Sequence, residues 1–157
     1  MKKQYALLLA GALLLLPGAA SAMDSATLLS NPARYRVVHA DDEEVVYADM
    51  DSLAGMQTRD YPSSIENMTV TLYAERYGRK PTAMDFEQGK LVSAIQEYKA
   101  DLHANKRSGK YTLKTELSAV HDRDGKALSL SGKQEKTEAE GKEVYFNLYR
   151  LHQAGAK

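Results

Sequence analysis

Two stretches of this chain alternate apolar and polar residues with the period of two that a β-strand with one buried face produces. In residues 67–77 (NMTVTLYAERY), the apolar side chains that point one way are Met68, Val70, Leu72 and Ala74. Residues 111–122 (YTLKTELSAVHD) repeat the pattern, with Tyr111, Leu113, Leu117 and Ala119 on one face. Segments that contain glycine or proline flank both stretches, and short connections join antiparallel neighbours. We therefore expect an antiparallel sheet built from hairpins.

An earlier pair of strands is predicted at residues 34–40 (RYRVVHA) and 44–50 (EVVYADM), because both are rich in β-branched and aromatic residues. The polar residues 41–43 between them are compatible with a turn. Valine doublets at 37–38 and 45–46 place apolar groups on both faces of this hairpin. We expect it to be covered on both sides, by a helix, a loop or a second subunit.

The register of this hairpin depends on the turn. If the turn is centred on Asp42 and Glu43, Arg36 falls opposite Asp49 and Val38 falls opposite Tyr47. A slip by one residue stays open, because tight two-residue turns usually contain glycine.

Residues 82–106 fit two interpretations. A helix is indicated by the spacing of Leu91, Ile95, Tyr98 and Leu102. However, the turn around Gly109 requires a strand before it to pair with the strand after it, and Gly89 weakens a long helix. We expect a short helix near 82–88 and a strand near 93–105, with one long helix over 82–106 as the alternative.

The last third of the chain predicts a hairpin turn at 123–125, a charged connection over 132–141, and a helix over 143–153 (EVYFNLYRLHQ). The helix has an apolar stripe formed by Val144, Leu148 and Leu151. The expected fold class is thus α+β: one small domain, residues 34–152, in which an antiparallel sheet of hairpins carries a C-terminal helix on one face. Residues 23–33 are expected to be a mobile lead-in, and residues 153–157 a disordered tail.

Residues 1–22 have the features of a bacterial secretory signal peptide. Lys2 and Lys3 precede an apolar run, and Ala20-Ser21-Ala22 matches the cleavage pattern. The run is shorter than the roughly 20 residues that a membrane span needs. Because Met23 rather than cysteine follows the cleavage point, we expect a soluble mature protein, periplasmic or secreted, that is not a lipoprotein and has no membrane span.

The composition excludes several classes of chemistry. The chain has no cysteine, so it has no disulfide, thiolate nucleophile or cysteine-based metal site. Its 21 basic and 21 acidic side chains balance, and no basic face for nucleic acid is visible. No P-loop, nucleophile elbow or dinucleotide fingerprint occurs. None of the histidines has the spacing of a zinc motif: His39, His103, His121 and His152. The sequence contains no motif that identifies a catalytic residue or a cofactor site.

Two acidic segments resemble metal sites superficially. Residues 41–44 are consecutive acids at a hairpin tip, where their side chains splay outward, so we expect a solvated turn and no metal. Asp122 and Asp124 begin an EF-hand-like pattern, but position 12 of that loop is Lys133 instead of glutamate. An Asp-Gly hairpin turn is the better interpretation.

Tyrosine is the abundant aromatic residue, with ten in a chain that has no tryptophan. Tyr73, Tyr77 and Glu75 share one face of a strand, and Tyr47 belongs to the first hairpin. Because tyrosine is enriched where proteins meet partners, we expect these four residues to form a partner-binding surface on the sheet face opposite the C-terminal helix. A homodimer could use this face. The alternative is that the tyrosines are ordinary core residues.

The segment YRVVHADDEEVVYADMDSL resembles the opening hairpin of small exported bacterial proteins of the surface-adhesin E-like family. The shared pattern is Tyr47, Asp49, Ser52 and Leu53. The hairpins RSGKYTL and HDRDGKAL and the closing EVYFNLYRL are similar to later parts of that family. The resemblance implies an antiparallel sheet with a C-terminal helix, and binding to host extracellular-matrix proteins.

These observations favour an exported, non-enzymatic binding protein of the bacterial cell envelope or secretome, with an envelope or host protein as its partner. The alternative function is a small periplasmic enzyme or enzyme inhibitor, with an acid near the first hairpin, Asp49 or Asp51, as the reactive group.

Overall fold

The structure, a computed structural model, describes residues 23–56, 64–79, 82, 92–130 and 136–155. In these residues one six-stranded antiparallel sheet forms, and its strand order follows the chain. The strands are β1 (Tyr35–Ala40), β2 (Glu44–Ala54), β3 (Ile65–Tyr77), β4 (Val92–Asn105), β5 (Lys110–His121) and β6 (Lys136–Glu140). Helix α1 (Ser25–Ser30) precedes the sheet and helix α2 (Lys142–Gly155) follows it. The predicted α+β sheet with a C-terminal helix is confirmed.

The first hairpin has the predicted tip but not the predicted register beyond it. Ala40 pairs with Val45, as expected, but Val38 is an extra residue in a bulge, so that Val37 lies opposite Tyr47. The bulge turns Val38 into the core, where it is 1% exposed, and leaves Val37 50% exposed. The side-chain amide of Asn147 in α2 donates to the Val38 carbonyl at 2.7 Å, which satisfies an edge-strand group.

The central strands β3 and β4 follow the predicted alternation. Met68, Val70, Leu72 and Ala74 are all buried. Residues 92–105 form β4, which confirms the predicted strand and excludes a helix over that range. The short helix expected near 82–88 lies outside the described residues, apart from Thr82.

Part of the predicted charged connection is strand β6, which pairs antiparallel with β5. All five residues of β6 are exposed, so the hydrophobic pattern gave no signal. Cross-strand contacts supply the pairing instead: Thr115 and Thr137 hydroxyls are 2.7 Å apart, and Lys114 Nζ is 3.5 Å from a Glu138 carboxylate oxygen. Charged residues also protect this edge against pairing with other chains.

Helix α2 packs its predicted stripe on one face of the sheet. Leu148 is fully buried and Val144 is 9% exposed, within a cluster formed with Val38, Ala48, Val70, Leu72 and Ala100. At the helix start, a Cβ on Gly141 would lie 2.8 Å from Leu102 Cδ1, so only glycine allows this close approach. The helix continues to Gly155, so residues 153–155 are helical instead of part of a tail.

Residues 25–30 of the expected lead-in form helix α1. Asp24 caps the helix by accepting the Thr27 amide at 2.6 Å, and hydrogen bonds from the side chain and the amide of Thr27 lower the pKa of Asp24. Leu28 and Met23, at 1% and 4% exposure, pack on the sheet face opposite α2. A six-residue helix is too short to leave a periodic pattern, and only its cap and its two apolar contacts mark it.

Candidate functional site

On the face that carries α2, the helix leaves one end of the sheet open, and a groove of about 410 Å³ lies there. We call it the helix-side groove. Its floor is apolar and is formed by Val46, Leu72, Ala74, Tyr98, Leu113 and Val144. Its rim is polar and is formed by His39, Glu44, Arg76, Thr115, Thr137, Glu140 and Glu143. An apolar concavity with a few polar groups at its edge is the usual form of a ligand site.

Cross-strand pairing places the floor residues. Val46 lies opposite Ala74, and Leu72 lies opposite Tyr98, so four side chains from three strands share this face. Ala74 is the smallest of them, and its missing volume contributes to the concavity. The same alternation that builds the core under α2 therefore continues past the helix into the groove.

His39 connects the first hairpin to the start of α2. Its Nε2 lies 3.0 Å from Asp41 Oδ2, and its Nδ1 lies 3.0 Å from Glu143 Oε2. The hydrogen bond to Asp41, followed by that to Glu143, raises the pKa of His39 against the effect of burial. Asp41 accepts the backbone amides of Glu43 and Glu44 and the His39 contact, which together lower its pKa to about 2.

This cluster predicts a pH-dependent contribution to stability. The folded pKa of His39 lies above its unfolded value of 6.5, so the stabilisation is complete below pH 6.5 and is lost as the pH rises through the folded pKa. We expect His39→Gln to lower the free energy of unfolding by about 0.5–1 kcal/mol at pH 5.5 and by less at pH 8.5. Urea unfolding at both pH values measures this.

His103→Gln is the matched control, since a ring nitrogen of His103 meets the neutral amide of Asn67, at 2.7 Å from Oδ1. An equal loss of stability at both pH values in His39→Gln would show that the carboxylate contacts of His39 are not formed.

Arg76 is the other cation of the groove and is paired with the first hairpin. Its Nη1 lies 2.6 Å from Glu44 Oε2, and its Nη2 lies 3.8 Å from Glu43 Oε2. Glu44 raises the pKa of Arg76, which stays charged in any case. Both cations on the rim are therefore neutralised by carboxylates of this chain.

The four residues predicted to form a partner surface lie on the opposite face. Tyr47, Tyr73 and Glu75 are 7%, 8% and 5% exposed, and Tyr77 is half-buried. Tyr47 and Tyr73 pack under α1, with the rings of Tyr35 and Tyr73 edge to face at 5.8 Å. Burial raises the pKa of both Tyr47 and Tyr73. This placement favours the alternative that the tyrosines belong to the core, and docking on this face stays a prediction.

Glu75 is a buried acid in that second core. The Tyr47 hydroxyl lies 3.4 Å from its Oε2, and hydrogen bonding from Ser25 and Tyr47 opposes the effect of burial on the pKa of this carboxyl. Burial is the main cause of the raised pKa of Glu75.

Asp49, one of the two acids considered as a reactive group, is held in an ion pair. Arg34 donates to both of its oxygens, at 2.9 Å from Nε and 2.8 Å from Nη2. The side chain of Asp49 is 6% exposed. Asp51 is 72% exposed and lies 3.4 Å from the same guanidinium. The structure thus gives Asp49 a structural partner and leaves Asp51 on the surface.

The residues that carry the family resemblance also build the fold. Ser52 Oγ donates to the Asp49 carbonyl at 2.7 Å and accepts the Thr71 amide at 2.8 Å. These bonds bridge the irregularity between β2 and β3, where the register shifts between Asp49 and Ala54. Leu53 packs against the core under α2.

Sequence reasoning missed the groove and its His39–Glu143 contact. These residues are 104 positions apart, and neither belongs to a local motif. The available signal was indirect: Glu143 is an acid in the first turn of the predicted helix.

In the described ranges, no group of three or more histidine, aspartate or glutamate side chains could hold a metal ion. At the acidic tip, Asp41 Oδ1 accepts the amides of Glu43 and Glu44 at 2.7 and 2.9 Å, which is an ordinary turn contact.

No helix of the described residues has the length and apolar character needed to cross a membrane.

No protein-family model matches this sequence, and searches of characterised proteins and of solved structures also give no match.

Proposed function

We propose that this chain is an exported, non-enzymatic binding protein of the bacterial cell envelope or secretome, and that the helix-side groove is its ligand site. The observation that carries the proposal is the groove itself, which combines an apolar floor with a charged rim. Export rests on the leader at residues 1–22.

The pairing of the titratable groups supports binding over catalysis. A general base needs a ring nitrogen or a carboxylate within reach of a bound substrate. Both ring nitrogens of His39 are engaged by carboxylates of this chain, and Asp49 is engaged by Arg34. Because the His39–Glu143 contact holds the first hairpin to the start of α2, it fixes one wall of the groove.

A tryptophan that fills the groove should abolish binding. Thr115 faces the groove from β5, and Thr112 lies on the opposite face of the same strand. After each protein is incubated with an envelope extract, we expect wild type and Thr112→Trp to retain a compound that Thr115→Trp does not retain. Mass spectrometry of the protein-bound fraction measures this difference. Strand propensity is similar for the two residue types, so both variants should fold.

Retention of the same compounds by all three proteins would contradict the placement of the site in the groove. The exported protein used for this comparison should also have the intact mass expected for cleavage after Ala22, and a retained leader would contradict the export part of the proposal.

A further inference from the structure

The charges around the helix-side groove are unbalanced. Glu44, Glu140 and Glu143 line it together with two cations, Arg76 and His39. Two further acids, Asp41 and Glu43, adjoin the rim through their contacts with those cations. The N-terminus of α2 adds about half a positive charge. The sum stays negative even when His39 is protonated.

The unused hydrogen-bonding capacity of the rim is also on the acceptor side. In the part of the chain that the structure describes, Glu44 contacts Arg76, and Glu143 contacts His39 through Oε2 alone. Each Oε1 is left to a ligand or to water. The hydroxyls of Thr115 and Thr137 bond each other, and the Tyr98 hydroxyl donates to Gln96 at 2.9 Å.

A ligand that matches this rim must supply hydrogen-bond donors and positive charge. The floor below the rim, with Leu72, Leu113 and Val144, is apolar and favours an apolar part of the ligand. An acidic ligand would meet like charges at the rim, and a purely apolar ligand would leave the carboxylates without any new partner.

We propose that the helix-side groove binds a small organic cation, an ammonium or guanidinium group carried on an apolar body. This inference rests on the function proposed above and adds the chemical class of the ligand. The cationic head lies at the carboxylates of Glu143 and Glu44, and the apolar body lies on the floor beside Leu72 and Ala74.

Three probes of equal chain length test the inference: n-octylammonium, octan-1-ol and octanoate, each titrated into the mature protein at pH 7 by calorimetry. We expect the ammonium to bind about tenfold more tightly than the alcohol, because several partly exposed carboxylates attract it, and octanoate to bind most weakly. The preference should shrink as salt is added.

Glu143→Gln keeps the shape of the side chain and an oxygen for His39, and removes one charge from the rim. We expect this substitution to weaken the binding of octylammonium about threefold and to leave the binding of octanol unchanged. Glu138→Gln is the matched control, since Glu138 pairs with Lys114 on the other face of the sheet.

The outcomes separate the two levels of the proposal. If octanol binds as tightly as octylammonium, or octanoate binds best, the ligand class is wrong, although the groove is still a binding site. If no probe binds but Thr115→Trp still loses a compound from the envelope extract, the ligand class is again wrong and the proposed function stands. If no probe binds and Thr115→Trp changes nothing, the proposed function itself fails.

Discussion

Leu148→Ala should lower the free energy of unfolding by about 3–5 kcal/mol, in the upper part of the range for buried leucines. Leu148 is fully buried between α2 and the sheet, in contact with the cluster that contains Val38, Leu72 and Val144. Its neighbours belong to several hydrogen-bonded strands, which cannot move inward to fill the cavity. Urea unfolding followed by circular dichroism measures the change.

Arg150→Ala is the control for this experiment, because Arg150 lies on the exposed side of the same helix and, among the described residues, bonds only Asn147. We expect a change within about 0.5 kcal/mol there. Equal, small effects in both variants would show that α2 is not docked on the sheet, and the groove beside it would lose its wall.

Asp49→Asn should lower the free energy of unfolding by about 2–4 kcal/mol. The substitution breaks a bidentate, partly buried ion pair and leaves the Arg34 guanidinium facing an amide. The side chain of Arg34 is 48% exposed, so solvent reduces the cost below that of a fully buried pair. Thermal and urea unfolding of the variant measure the loss.

Asp51→Asn is the matched control, two residues away and 72% exposed, and we expect it to change stability by less than about 0.5 kcal/mol. This pair of variants also addresses the alternative function. If Asp49→Asn left stability unchanged, Asp49 would not be needed for the fold, and a reactive role for it would regain support.

Much of the sheet was predictable because its signals are local. Strand β3 alternates from Met68 to Ala74, and the turn at Gly109 required β4 before it. The stripe on α2 has helical spacing. In each case the residues that decide the structure lie within a few positions of one another, so a single sequence contains the information.

The features that were missed depend on contacts between distant segments. The bulge at Val38 is stabilised by core packing and by Asn147. Strand β6 has no buried residue and forms through its hydrogen bonds to β5. Helix α1 is held by Leu28, which belongs to a cluster with residues of four strands.

The candidate site could not be predicted for the same reason. Sequence composition pointed to the tyrosines, and the structure buries Tyr47 and Tyr73 under α1. The groove arises where α2 ends its coverage of the sheet, and its rim joins His39 to Glu143 across most of the domain. Neither fact leaves a local pattern.

The most direct test of the account is a map of ligand contacts, measured as backbone amide shifts during a titration of the isotope-labelled mature protein with octylammonium. The account predicts that the shifts cluster at the groove, on Val46, Ala74, Thr115 and Val144. Shifts confined to the face of Tyr73, Tyr77 and Ile95 would contradict it and would place the binding surface on the opposite side of the sheet.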